Sequence, residues 1–340
     1  MLDCAWPGPT ALFAGVADAP DSPPSMLKGY TTGRTFAIVN QKGGVGKSTT
    51  AVNLGASLAA LGRTVLLVDM DPQGNSTSGV GISKIGLDVT TYHVIIGGEP
   101  LERAIRPTKT ARLWIVPSDL HLAGAEVELV PQIARELKLK AALRAVTDRY
   151  DVILIDCPPS LGLLTINSLA AADACLIPMQ CEFYALEGLA QLMDTIALIR
   201  RHLNPELRIS GVVLTMVDPR TKLSDQVAME VRSHFGDAVF TTEIPRSVRL
   251  AEAPSYGQPV LTHAPSSKGA EAYMNLAREF NQRLRPLQGH EGDSTEGSRP
   301  EPGAASDVSV PMSEEDVPPA IEGEQVMAGG IAYTRGDTDD

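Results

Sequence analysis

The sequence predicts a doubly wound α/β fold, a mostly parallel β-sheet flanked by helices on both faces. Three observations carry that expectation. Short apolar runs alternate with helical patterns of about 12–18 residues, the rhythm of strands joined by crossover helices. The runs are apolar throughout, as in Val65-Leu66-Leu67-Val68 and Val152-Ile153-Leu154-Ile155, which is how strands buried on both faces read. Finally, 43% of the residues are hydrophobic and only 4% aromatic, so the core must be aliphatic.

Taken in order, residues 1–33 are rich in Pro, Gly, Ala and Ser, show no period and read as a flexible arm. Phe36–Val39 is a strand, followed by a glycine loop. A helical pattern of Val52, Leu54, Leu58 and Leu61 then runs to Gly62. Val65–Asp69 is the next strand. Residues 76–111 alternate short helical and loop patterns, and Arg112–Ser118 reads as a strand and its exit. Two helical stretches, LAGAEVELV and IARELKLKAALRAV, break at Pro131, since proline cannot continue a helix interior. Further strands are expected at Val152–Asp156, Cys175–Met179 and Ile209–Val217. Helices are expected at Ser160–Ala172, Leu186–Leu203, Leu223–Phe235 and Lys268–Arg285. Arg200-Arg201-His202 suits the C-terminus of its helix, where cations meet the negative end of the dipole. The chain therefore divides into the arm (1–33), a folded domain (34–285) and a disordered acidic tail (286–340).

The formal net charge of −12 is unevenly spread. Residues 286–340 hold 13 acidic and 2 basic side chains, whereas residues 34–285 hold 25 acidic and 26 basic ones. A near-neutral body can touch nucleic acid only through a local basic patch. Residues 200–285 carry a modest excess, 12 basic against 9 acidic. No apolar run approaches the ~18 residues of a membrane span, and the N-terminus lacks the pattern of a signal peptide. Four cysteines without a C-x-x-C pair suggest neither a disulfide framework nor a zinc site, so the expected compartment is a reducing cytoplasm. Cys157 reads as a small buried thiol.

The chemistry concentrates in residues 40–50, NQKGGVGKSTT. Strand, glycine loop and helix follow one another. Gly43, Gly44 and Gly46 let backbone N–H groups turn inward round an anion, and the helix N-terminus adds partial positive charge. Lys47 can reach the β- and γ-phosphates of a nucleotide, and the Ser48 hydroxyl can sit on Mg²⁺. Two further strands end in carboxylates, at Asp69 (followed by Met70-Asp71-Pro72-Gln73-Gly74-Asn75) and at Asp156. Carboxylates just past the ends of parallel strands lie where open α/β sheets bind ligands.

The loop is not the ordinary G-x-x-x-x-G-K-[ST]. Gln41 stands in place of the first glycine, and a second lysine follows, giving Lys42-Gly43-Gly44-Val45-Gly46-Lys47-Ser48-Thr49. This deviant P-loop and the string DMDPQGN resemble the ParA/Soj/MinD group of ATPases. Over about residues 34–285 the chain is similar to the chromosome-partition branch, a DNA-segregation ATPase. The resemblance implies a P-loop NTPase that binds ATP or ADP with Mg²⁺ along residues 42–49. Lys42 would cross a nucleotide-bridged homodimer to the partner's phosphates. Asp71 would orient the attacking water, Asp69 would support it near the metal, and Asp156 would hold Mg²⁺ through water. Met216, Pro245 and Ser247 fall where the family packs the adenine base. Arg220 and Arg249 match arginines that touch non-specific DNA, with Lys222, Arg246 and Lys268 as weaker candidates. A ParB-type centromere-binding partner would stimulate hydrolysis, which is expected to be slow alone. The place of action would be the nucleoid. A MinD-like membrane-positioning ATPase is the alternative. The acidic tail argues against it, because anionic lipid would repel it, and the last helix reads as a packed one. A nitrogenase-reductase-like iron–sulfur protein would need a cysteine pair that the sequence does not offer.

Overall fold

The structure is a computed structural model and describes residues 33–284 apart from 183, 184 and 219. The expected arm, of which Gly33 alone is described, and the expected acidic tail lie outside the described residues. The strands are β1 (Arg34–Ile38), β2 (Val65–Asp69), β3 (Arg106–Pro107), β4 (Leu113–Val116), β5 (Val152–Asp156), β6 (Ala174–Gln180) and β7 (Arg208–Thr215). They form one sheet in the order β3-β4-β2-β5-β1-β6-β7. Every pairing is parallel except β3 with β4. The mostly parallel sheet expected from the apolar runs is therefore what forms.

The α-helices are α1 (Lys47–Ala60), α2 (Asn75–Gly79), α3 (Thr91–Ile95), α4 (Leu101–Ala104), α5 (Leu122–Glu128), α6 (Lys138–Leu143) and α7 (Leu163–Ala171). They continue as α8 (Ala185–His202), α9 (Lys222–Phe235), α10 (Val248–Glu252), α11 (Val260–His263) and α12 (Lys268–Leu284). Alternate strand residues feed two separate cores. Phe36, Ile38, Leu67 and Leu154 face α1 and α12, where Leu54, Leu58, Tyr273 and Phe280 close the layer. Ala37, Leu66, Ile153 and Ile155 face the other way, beneath Leu122, Leu139, Leu164, Leu192 and Val231 from α5 to α9. Each buried Val, Leu, Ile or Phe among them contributes about 1.5–3 kcal/mol, so the sheet is held from both sides.

Three details position the site. From β1 the chain runs to β2 and β4 on one side, returns to β5, then crosses to β6 and β7 on the other. The crevice at this reversal lies outside the C-terminal ends of β1, β5 and β2. Helix α1 lies close on the sheet because Gly55 has no side chain; a Cβ there would sit 3.1 Å from Leu67 Cδ2 and 3.3 Å from Leu113 Cδ1. Its first turns are bolted to the C-terminal helices. The Thr50 hydroxyl and Tyr273 OH lie 3.1 Å apart. Asn53 accepts the Val260 N–H at 2.7 Å and donates to the Thr49 carbonyl at 2.8 Å.

Some elements differ from the sequence expectation. The second helical stretch shrinks to a 3₁₀ turn at Arg135–Leu137 and the short α6. Ala134 adopts a left-handed φ of 52°, and the Asn167 amide bonds the Arg135 carbonyl and the Leu139 N–H, replacing helical partners. Helix α7 starts three residues later than expected, because the Glu126 carboxylate from α5 accepts the Leu163 and Leu164 N–H groups and caps it there. The two-residue β3, with Pro107 at a sheet edge, carries no periodic signal.

Candidate nucleotide site and basic rim

The phosphate loop joins β1 to α1 at the topological switch. Gly44 and Gly46 take left-handed φ values of 76° and 89°, which a side chain would strain. A Cβ built at Gly43 or Gly44 meets no atom within 4 Å, so the loop faces open space that a ligand can fill. The loop is braced from behind. Thr215 at the end of β7 donates to the Val45 carbonyl at 2.9 Å, and Asn40 donates to the Pro178 carbonyl at 2.7 Å. Lys47 Nζ donates to the Lys42 carbonyl at 3.0 Å. Burial, opposed chiefly by the charge of Asp156, lowers the Lys47 pKa. A desolvated cation above a glycine cradle is primed for an anion.

A cavity of about 420 Å³ opens over the loop, lined by Gly43, Gly44, Gly46, Lys47, Ser48 and Thr49 together with Asp71, Gln73, Met216, Pro254 and Gln258. It thus joins the loop, the Asp71 turn and the chain after β7. Asp71 is nearly buried, and its Oδ1 accepts the Gln73 N–H at 2.9 Å. It forms the local turn that Asp71-Pro72 suggests and still faces the cavity.

Asp69 and Asp156 end neighbouring strands and stand in register. Both are fully buried, and burial raises both pKa values; at Asp69 the charge of Asp156 adds to the rise. Asp69 accepts the Thr77 N–H and hydroxyl at 2.8 and 2.6 Å. Asp156 Oδ2 accepts the Ser76 hydroxyl at 2.7 Å, and the Ser48 side chain offsets part of the burial that raises the pKa of that carboxyl. Asp156 Oδ1 is buried without a hydrogen-bond partner among the described residues. An orphaned carboxylate oxygen beside a loop hydroxyl suits Mg²⁺, which keeps several of its waters and takes few protein ligands. No cluster of three or more His, Cys, Asp or Glu side chains among the described residues could hold a metal by itself. Cys157 is buried and its thiol is pushed up to about 12 by burial, an unreactive group.

The remaining candidates divide. Met216 lines the cavity with the loop and has a left-handed φ of 52°. Pro245 instead lines a separate depression with Lys268 and Glu243, and half-buried Ser247 stands at the N-cap position of α10 without a side-chain capping hydrogen bond. The Arg220 guanidinium forks onto Asp218, with Nε to Oδ1 at 2.9 Å and Nη2 to Oδ2 at 2.8 Å. These bonds hold Asp218 down at about 2. Arg249 bonds Glu252 at 2.9 Å. The two segments are tied together where the Arg246 N–H donates to the Val217 carbonyl at 3.2 Å. Lys222 opens α9.

Sequence reasoning missed Ser76 and Thr77, which hold the buried carboxylates, and Glu182, whose carboxylate lies 2.6 Å from Lys42 Nζ. A signal for Glu182 existed, since it stands just past the C-terminal end of β6, as Asp71 stands past the end of β2.

This fold and this loop define a P-loop ATPase of the deviant, two-lysine class. The family model described as an AAA domain matches residues 33–209. The chain is 56% identical over 247 residues to the sporulation initiation inhibitor protein Soj of Bacillus subtilis, covering 73% of this chain and 98% of that protein. It is 52% identical over 256 residues to the chromosome partitioning protein ParA of Myxococcus xanthus, covering 75% and 90%. Among solved structures, cobyrinic acid a,c-diamide synthase of Mycobacterium smegmatis with bound ADP and magnesium matches with a TM-score of 0.67 at 35% identity, covering 77% of this chain and all of that one. The chain belongs to the ParA/Soj family of chromosome-partitioning ATPases, and its cofactors are ATP/ADP and Mg²⁺.

Proposed function

We propose that the protein segregates DNA by an ATP-driven cycle of pairing and release. ATP fills the cavity over residues 42–49, with Lys47 on its phosphates and the base toward Met216. Two subunits then pair face to face, and Lys42 of each reaches the other's nucleotide. Ser48 and Asp156 hold the metal, Asp156 through water, with Asp69 supporting them. Held there, Mg²⁺ would supply positive charge to offset the charge that develops on phosphoryl transfer. Asp71 orients the attacking water, and hydrolysis dissolves the pair. Turnover is slow until a ParB-type partner stimulates it.

The observation that carries DNA as the cargo is the position of the arginines. Arg220 follows Met216 by four residues and Arg249 precedes Ala253 by four; both Met216 and Ala253 line the nucleotide cavity. A change in the crevice therefore acts on the segments that bear the cations. Exposed arginines make the sequence-independent phosphate contacts that such a cargo needs. ATP drives DNA binding only as far as the pair binds DNA better than the single subunit does.

The experiment is binding to a non-specific duplex with ATP, with ADP and without nucleotide across a salt series, beside Arg220→Glu and Arg249→Glu. Binding that needs ATP, falls with salt and is lost in both variants is the expected result. Intact ATPase activity with no DNA binding in any state would overturn this reading in favour of a membrane or protein cargo.

A further inference from the structure

In a single subunit the ammonium of Lys42 is already occupied. Its Nζ lies 2.6 Å from Glu182 Oε2, and Glu182 Oε1 accepts the Gln180 side-chain amide. These two are the side-chain partners of that carboxylate among the described residues. The backbone of Lys42 is fixed to the same place. Its N–H donates to Asn40 Oδ1 at 2.9 Å, and Asn40 in turn donates to the Pro178 carbonyl of β6 at 2.7 Å. Both ends of Lys42 are thus tied to the C-terminal end of β6 in its own chain.

We propose that Glu182 parks Lys42 on its own subunit and so sets the threshold at which ATP pairs two subunits. This rests on the reading that Lys42 crosses to the partner's nucleotide. One ammonium cannot serve both anions fully. The cis carboxylate and the partner's phosphates compete for it, and whatever the cis pair contributes in the single subunit is subtracted from pairing. Both side chains are half-exposed, 38% for Lys42 and 47% for Glu182. Pairs of that exposure are weak and salt-sensitive, which suits a latch. It discourages pairing with an empty or poorly charged site, yet yields to several phosphate charges offered together. The filled site also loosens it from the other side. Lys47 Nζ, now on the Lys42 carbonyl at 3.0 Å, leaves that carbonyl when it turns to phosphate.

The test is the dimer dissociation constant of the full-length chain, by sedimentation equilibrium, with ATPγS and Mg²⁺, with ADP, and without nucleotide. Glu182→Gln keeps the shape of the side chain and removes its charge. Two latches open per dimer, so the variant should pair about 5- to 10-fold more tightly than wild type with ATPγS. In a Lys42→Gln background the same change should have no effect, which a merely structural role for Glu182 would not produce. An unchanged or weakened Kd in Glu182→Gln, or an equal shift in the Lys42→Gln background, overturns the latch while leaving the dimer reading intact. So does loss of ADP binding by Glu182→Gln, which would make Glu182 a support of the loop itself. If wild type and variant both stay monomeric with ATPγS, the dimer reading falls and the latch with it.

Discussion

The phosphate-loop crevice and the arginine-bearing rim are joined through Met216 and Ala253 and are built on opposite principles. In the crevice the phosphate loop and the strand-end carboxylates have buried braces. Thr215 holds the Val45 carbonyl, Ser76 and Thr77 hold Asp156 and Asp69, and Asn53 and Tyr273 fix α1. On the rim, Arg220 and Arg249 stand 85% and 61% exposed, each held, among the described residues, by a carboxylate of its own segment. The difference follows from the work assigned to each. Phosphoryl transfer is accelerated by groups already in place, so rigidity there is part of the chemistry. Contact with any phosphate backbone needs charge and reach, and a rigid mount would gain nothing.

The sharpest way to break the comparison is Lys47→Ala. ATP turnover, followed by phosphate release, should fall at least about 100-fold, because an electrostatic contact to the reacting group is lost. The melting temperature should hold or rise, since burial penalises this ammonium. Turnover surviving in a folded variant would mean the loop is not the ATP site. Next in size is Asn53→Ala. It strands the buried Val260 N–H, a cost of about 2 kcal/mol, and should lower Tm by roughly 4–8 °C in a domain of this size. Arg249→Ala, on the rim, should change stability by less than about 0.5 kcal/mol. Equal losses in the two variants would erase the distinction between braced crevice and free rim.

Much of the crevice was legible because its signals are local. The apolar strands β1, β2 and β5, the glycines and the strand-end carboxylates each declare themselves within a few residues. What the sequence hid is contact between segments far apart. Glu126 capping α7 and Asn167 cutting short the helix before β5 span more than 25 residues, and no period marks them. Glu182 lies 140 residues from Lys42, and only the closure of β6 beside β1 brings them together. Pro245 and Ser247 match a family motif, but their place depends on how the loop after Val217 lies, which periodicity does not encode.

The finest probe of the rim is Asp218→Asn. On the proposed reading, the fork from Arg220 to Asp218 is an exposed pair that would compete with DNA phosphate for the guanidinium, as Glu252 would at Arg249. Neutralising Asp218 frees one cation per subunit for phosphate. Non-specific DNA should then bind a few-fold more tightly, with a log–log salt slope steeper by up to about 1 per subunit. Stability should scarcely change. pH cannot substitute for the mutation. Asp218 has a folded pKa depressed to about 2, so the pair is complete above the ordinary carboxylate range and is lost only as pH falls through that folded value. Wild-type DNA affinity between pH 8 and 5 should therefore show no step from release of Arg220, whereas the variant should bind more tightly across the whole range. A wild-type affinity that climbed to the variant's level by pH 5 would mean that Asp218 titrates far above its paired value and that the fork is not what restrains Arg220.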